Sequence, residues 1–117
     1  MKNNNKKSSF SLLKELCAIP APSGNELAMK EFILNYIKIN SKNWKHQPKI
    51  ICGNGFQDNI ILIFGKPRTA LFAHMDSIGF TVRYGKQLVK IGGPSIKSGY
   101  KLIGTDQKGK QEVELNL

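Results

Sequence analysis

The chain has 117 residues, 40% of them hydrophobic, with 18 Lys and Arg against 8 Asp and Glu and a formal charge of +10. That length suits one small domain with a modest core, and the hydrophobic content is that of a folded chain rather than a disordered one. No apolar run approaches the ~18 residues of a membrane span.

The charge invites an acidic partner such as nucleic acid. The basic residues are scattered from Lys2 to Lys110, however, and only Arg68 and Arg83 are arginines, the residue suited to base and phosphate forks. No helix carries a basic stripe, and no aromatic-basic alternation suggests a single-strand platform. The pattern argues for solvated lysines and against nucleic-acid binding. Residues 1–9 read as a flexible basic N-terminus without the apolar core of a signal peptide. Cys17 and Cys52 stand alone, without Cys-x-x-Cys spacing, and read as buried free thiols in a reducing cytoplasm.

Ser8 to Ala18 reads as a first helix, with Phe10, Leu13 and Cys17 at helical spacing and Pro20 and Pro22 ending it. Ser23-Gly-Asn-Glu26 has the form of a capping box opening a second helix to about Asn40, whose apolar face is Leu27, Phe32, Ile33, Tyr36 and Ile37. His46 lies in a polar connector and reads as exposed. Lys49 to Gly53 is a first short strand, Gly53-Asn-Gly55 a turn, and Asn59 to Phe64 a buried second strand closed by Gly65-Lys-Pro67.

Ala70-Leu-Phe-Ala73 then reads as a third, buried strand of the kind found in parallel sheets, ending on His74 with Asp76 two residues on. Ligands bind at the carboxyl ends of such strands, and His followed by a carboxylate can be a metal ligand with the group that orients its ring. The same residues also fit a satisfied core histidine and a loop cap. Beyond Ser77 the pattern is β only: a hairpin from Gly79-Phe-Thr-Val-Arg-Tyr84 through Gly85-Lys86 to Gln87–Ile91, then Tyr100–Gly104 and Gln111–Leu117 around a polar turn, with Val113, Leu115 and Leu117 on one face. Gly92-Gly93-Pro94 reads as a backbone turn rather than a phosphate loop, since no Lys-Ser/Thr or opening helix follows.

Ala73-His-Met-Asp-Ser-Ile-Gly-Phe80 with Ile91-Gly-Gly-Pro94 resembles the glutamyl-aminopeptidase family of di-metal exopeptidases, which includes the tetrahedral aminopeptidases. Leu12 to Glu26 resembles that family's opening helix and Pro-Ser-Gly-x-Glu turn, and Asp58-Asn-Ile-Ile-Leu-Ile63 an eroded form of its next strand. The resemblance covers residues 10–104, and Ser77 departs from it where the family commonly has an acidic residue.

The resemblance implies an α/β fold: residues 10–77 as the N-terminal part of a peptidase sheet domain (helix, helix, three strands) and residues 78–117 as the start of an inserted β-barrel-like domain used for homo-oligomerisation. It implies His74 as a metal ligand, Asp76 as the residue orienting its ring, two divalent ions (zinc, or cobalt or manganese) in the complete enzyme, and peptide substrates cut at their N-terminus. Most of the family's ligands and its Glu base lie further along than the pattern present here. The expectation is therefore an N-terminal portion of a cytoplasmic metal-dependent aminopeptidase, inactive and without tightly held metal as this chain alone. The alternatives are a stand-alone β-rich interaction module pairing through edge strands and, disfavoured by the charge distribution, a nucleic-acid-binding protein.

Overall fold

The computed structural model describes residues 9–106 and 109–114. The fold is mixed α/β, built among the described residues of two α-helices and three small antiparallel sheets of two strands each. The chain separates into two compact units, Met1–Ser77 and Ile78–Leu117.

In the first unit α1 spans Ser9–Cys17 and α2 spans Leu27–Asn40. No residue of α1 is buried: Phe10 is 64% exposed and Leu13 53%, with the Lys14 ammonium 4.7 Å from the Phe10 ring centre. The predicted apolar periodicity is present, yet Phe10, Leu13 and Cys17 stay exposed while Leu12 and Leu16 are half-buried. Cys17, expected to be buried, is exposed, while Cys52 is half-buried; both are free thiols.

The Ser23–Glu26 capping box does not form. α2 starts after Glu26 with no side-chain cap; the Glu26 carboxylate instead accepts the Gly24 N–H at 2.8 Å, and the Ser23 hydroxyl turns away to Asp76. Of the predicted apolar face Ile37 is buried and Leu27 is half-exposed, and Met29, not foreseen, joins Ile37 and Ala21 in the small core. At its C-terminus α2 tightens into a 3-10 turn, Ser41–Asn43. Its last carbonyls find partners in the Ser41 N–H on Ile37, the Asn40 amide on Tyr36 at 2.8 Å and the Gln47 amide on Ser41.

β1 (Lys49–Ile51) and β2 (Ile61–Ile63) pair antiparallel, with Ile50 opposite Leu62. Beside them Trp44 and Phe64 stack at 6.1 Å between ring centres. The connecting loop turns on Gly53 and Gly55 at positive φ and on Gln57 at φ 50°. Lys30 ties this loop to α2, donating to the Gln57 carbonyl at 3.0 Å and to Asp58 Oδ1 at 3.2 Å. β2 is half-buried at Leu62 and Ile63 but 44% exposed at Ile61, shallower than the buried strand expected.

The third strand is absent. Residues 70–76 run without helix or strand and belong to no sheet among the described residues, and Leu71 and Phe72 are each 95% exposed. The reason is the missing neighbour: a strand is defined by ladder hydrogen bonds, and β1 and β2 pair only with each other. Among the described residues the sole parallel pairing is an isolated bridge between Pro22 and Ser77.

In the second unit β3 (Gly79–Val82) pairs with β4 (Leu88–Ile91), as the predicted hairpin requires. It closes with a 3-10 turn at Tyr84–Lys86, Gly85 at φ 65° and the Arg83 N–H on the Gln87 carbonyl at 2.8 Å. Gly92 follows at φ 74°, where an added Cβ would meet Ile78 Cγ2 at 3.2 Å, so both conformation and space call for glycine. β5 (Lys101–Asp106) and β6 (Gly109–Glu114) form the last hairpin, with a shorter turn than expected. The expected Leu115–Leu117 end of that strand lies outside the described residues. No α-helix follows Asn40 among the described residues, and no helix there is long and apolar enough to cross a membrane.

Candidate functional site

The site lies in the first unit, where two segments far apart in sequence run side by side. Pro20 and Pro22 stiffen the first and hold it out of helix. Its Ala21 N–H donates to Ser77 Oγ at 3.1 Å, and the Ser77 N–H returns to the Ala21 carbonyl at 2.7 Å. Ala21 is fully buried. This stitch fixes the register that delivers Ser23 to Asp76, with the hydroxyl donating to Oδ2 at 2.6 Å.

The other oxygen of Asp76, Oδ1, lies 3.3 Å from His74 Nδ1, and the Asp76 backbone carbonyl lies 3.1 Å from the same nitrogen. Both neighbours of Nδ1 are acceptors, so a neutral ring carries its proton there and keeps its lone pair on Nε2. The structure thus brings together the two residues singled out in the sequence, in the carboxylate–imidazole arrangement that orients a metal-binding histidine. It does so in the open: the His74 side chain is 86% exposed and that of Asp76 40%. In this chain His74 is therefore not packed in a core. The Ser23 hydrogen bond holds the Asp76 carboxyl below the usual carboxylate range. Loss of water contact opposes that effect, while the backbone amide of Asp76 and then His74 add to it.

His74 and Asp76 line a cleft of about 310 Å³ together with Glu26, Asp58, Gln57 and Asn59. Three carboxylates facing one cleft are notable in so basic a chain, but each already has a partner: Glu26 the Gly24 N–H, Asp58 the Lys30 ammonium, Asp76 the Ser23 hydroxyl. Among the described residues no three His, Cys, Asp or Glu side chains gather closely enough to hold a metal ion. The donor chemistry fits His74 as a single ligand through Nε2. It does not fit a complete two-metal site, which needs three or more protein donors around each catalytic ion. His46, the other histidine, is exposed and remote in sequence from this cleft.

Sequence reasoning missed Ser23 and Ser77 as parts of the site. The sequence pattern reads Ser23 as a helix cap, the commonest use of Ser before a Glu three residues on, and Ser77 only as a departure from an acidic position. Nothing local in the sequence announces a contact across 53 residues. Comparison with known protein families and with curated proteins finds no match to this chain.

Proposed function

We propose that this chain is the N-terminal portion of a metal-dependent aminopeptidase, with His74 as a metal ligand and Asp76 as the residue that orients its ring. The observation that carries the reading is the His74–Asp76 pair itself, set at the end of an extended apolar segment whose Leu71 and Phe72 are 95% exposed. Such a segment has the composition of an inner strand, and an inner strand of a larger sheet would deliver His74 to that sheet's carboxyl edge, where substrates bind.

In this reading the residues of this chain perform preparatory work. Asp76 takes the Nδ1 proton side of the ring, leaving Nε2 as the donor atom beside the cleft. The nucleophile, the Glu base and most ligands come from elsewhere in the complete enzyme, so the 117-residue chain alone is inactive. Residues 78–117 serve self-association of that enzyme.

The test is hydrolysis of unblocked and N-acetylated peptides by the natural protein purified with its metal, beside the His74→Ala variant and this chain alone supplied with zinc, cobalt or manganese. The reading expects release of N-terminal residues from unblocked peptides only, loss of activity in the variant, and none from the chain alone. Activity that survives His74→Ala, or a natural protein without exopeptidase activity, overturns it.

A second reading is favoured by one observation. In the hairpins of the second unit Val82 is 69% exposed and Ile103 53%, so apolar side chains face solvent on short strands with open edges. This suits an interaction module that pairs through its strands without catalysis. A defined oligomer of this chain, with no metal and no activity in the natural protein, would select it.

A further inference from the structure

We propose that Ser23 is a positioning residue of this site, its hydroxyl holding the Asp76 carboxylate in the rotamer that faces Nδ1 of His74. The proposal rests on the reading of His74 as a metal ligand, and extends it to a residue 51 positions away in sequence.

The carboxylate divides its two oxygens between two partners. Oδ2 accepts the Ser23 hydroxyl at 2.6 Å, within the short range of a hydroxyl on an ionised carboxylate, and Oδ1 is left to face the ring at 3.3 Å. An aspartate at 40% side-chain exposure has water on offer and a broad terminal torsion, so the ring by itself is a weak hold. A second hydrogen bond on the opposite oxygen removes that freedom, because rotating Oδ1 away from His74 would break the Ser23 contact as well.

The obvious other use of Ser23 is already excluded by geometry. As a helix cap it would accept an N–H at the start of α2, but α2 begins after Glu26 without any side-chain cap, and Glu26 serves the Gly24 N–H. Nor is Ser23 placed by chance. The paired hydrogen bonds between Ala21 and Ser77 and the Pro22–Ser77 bridge bring its backbone alongside Asp76. Ser77 holds the segment; Ser23 acts on the carboxylate.

The consequence is a tautomer. With Oδ1 and the Asp76 carbonyl both facing Nδ1, the neutral ring keeps its proton on Nδ1 and exposes a basic Nε2. When the carboxylate is free to turn, only the Asp76 carbonyl still faces Nδ1, and the two tautomers draw closer in population. This can be read in the metal-free chain by long-range nitrogen NMR of the His74 ring, at a pH where imidazole is neutral, with the His46 signals assigned by a His46→Gln variant.

In the wild-type chain the Nδ1–H form should dominate. Ser23→Ala should lower the ratio of Nδ1–H to Nε2–H by roughly threefold or more, the scale of a hydrogen bond to a charged group weakened by exposure. Ser23→Thr, which keeps the donor, should preserve it. Ser77→Ala, which loosens the same segment without removing the Ser23 hydroxyl, should change it less than Ser23→Ala does. An unchanged ratio in Ser23→Ala, or a loss in Ser23→Thr equal to that in Ser23→Ala, overturns the proposal. The measurement uses neither metal nor peptide, so its failure leaves the aminopeptidase reading standing, and a natural protein without peptidase activity leaves the tautomer result standing.

Discussion

Leu71 offers the sharpest contrast between this chain and the enzyme proposed to contain it. Burying a Leu side chain is worth about 1.5–3 kcal/mol. At 95% exposure, Leu71 retains only the remaining twentieth of that, on the order of 0.1 kcal/mol. Leu71→Ala should therefore leave the stability of this chain unchanged within about 0.3 kcal/mol, as surface substitutions do. Ile37, 3% exposed on α2, is the internal control: Ile37→Ala should cost about 2–5 kcal/mol.

In the proposed complete enzyme the ranking changes. If residues 70–73 form an inner strand there, Leu71→Ala should cost about 2–5 kcal/mol and Phe72→Ala about 3–5. The assay is urea unfolding followed by Trp44 fluorescence, since Trp44 is the chain's single tryptophan and stacks beside the β1–β2 hairpin on Phe64. A loss above about 1 kcal/mol for Leu71→Ala in this chain would mean the segment is already packed. A silent Leu71→Ala in the natural protein would refute its place in a sheet.

The other predictions concern contacts that hold the units themselves. Lys30→Met removes both the Gln57 and the Asp58 hydrogen bonds and leaves a carboxylate whose side chain is only 30% exposed, so unit stability should fall by about 1–2 kcal/mol in the same Trp44 assay. Gly92→Ala should cost about 1–2 kcal/mol, from the positive φ and the Ile78 contact, and speed hydrogen exchange of the β3–β4 amides by roughly 5–30-fold. The Asp76 carboxyl is lowered in the fold relative to the unfolded chain, so its contribution is fully present above the ordinary carboxylate range and is lost as pH falls through its lower folded value. A carbon NMR titration should find that low midpoint, and Ser23→Ala should move it back upward.

What could be read from the sequence was whatever local chemistry decides. Helical spacing placed α1 and α2 within a few residues, β-branched runs and glycine turns placed the hairpins, and a His-x-Asp spacing marked an imidazole–carboxylate pair that the structure assembles. What could not be read was partnership. The alternatives for Ser23 differ only in which partner lies within reach, a donor N–H three residues on or an acceptor carboxylate 53 residues on, and sequence favours the near one. Ala70–Ala73 failed for the same reason in reverse. Its composition specifies an inner strand, but a strand also needs two neighbours, and no property of residues 70–73 supplies them.

These two failures are connected through the site. A histidine becomes a useful ligand when its far nitrogen is fixed and its near nitrogen is brought to other donors. The first condition is met inside this chain, by contacts running from the Ala21–Ser77 stitch through Ser23 and Asp76 to His74 Nδ1. In the proposed enzyme the second would depend on where residues 70–73 dock, and there the exposed Leu71 and Phe72 would bear on function as much as on stability. The orienting half of the arrangement is thus separable from the ligand-gathering half. The Ser23 variants probe the first and the Leu71 variants the second, so a defect in one should not reproduce a defect in the other.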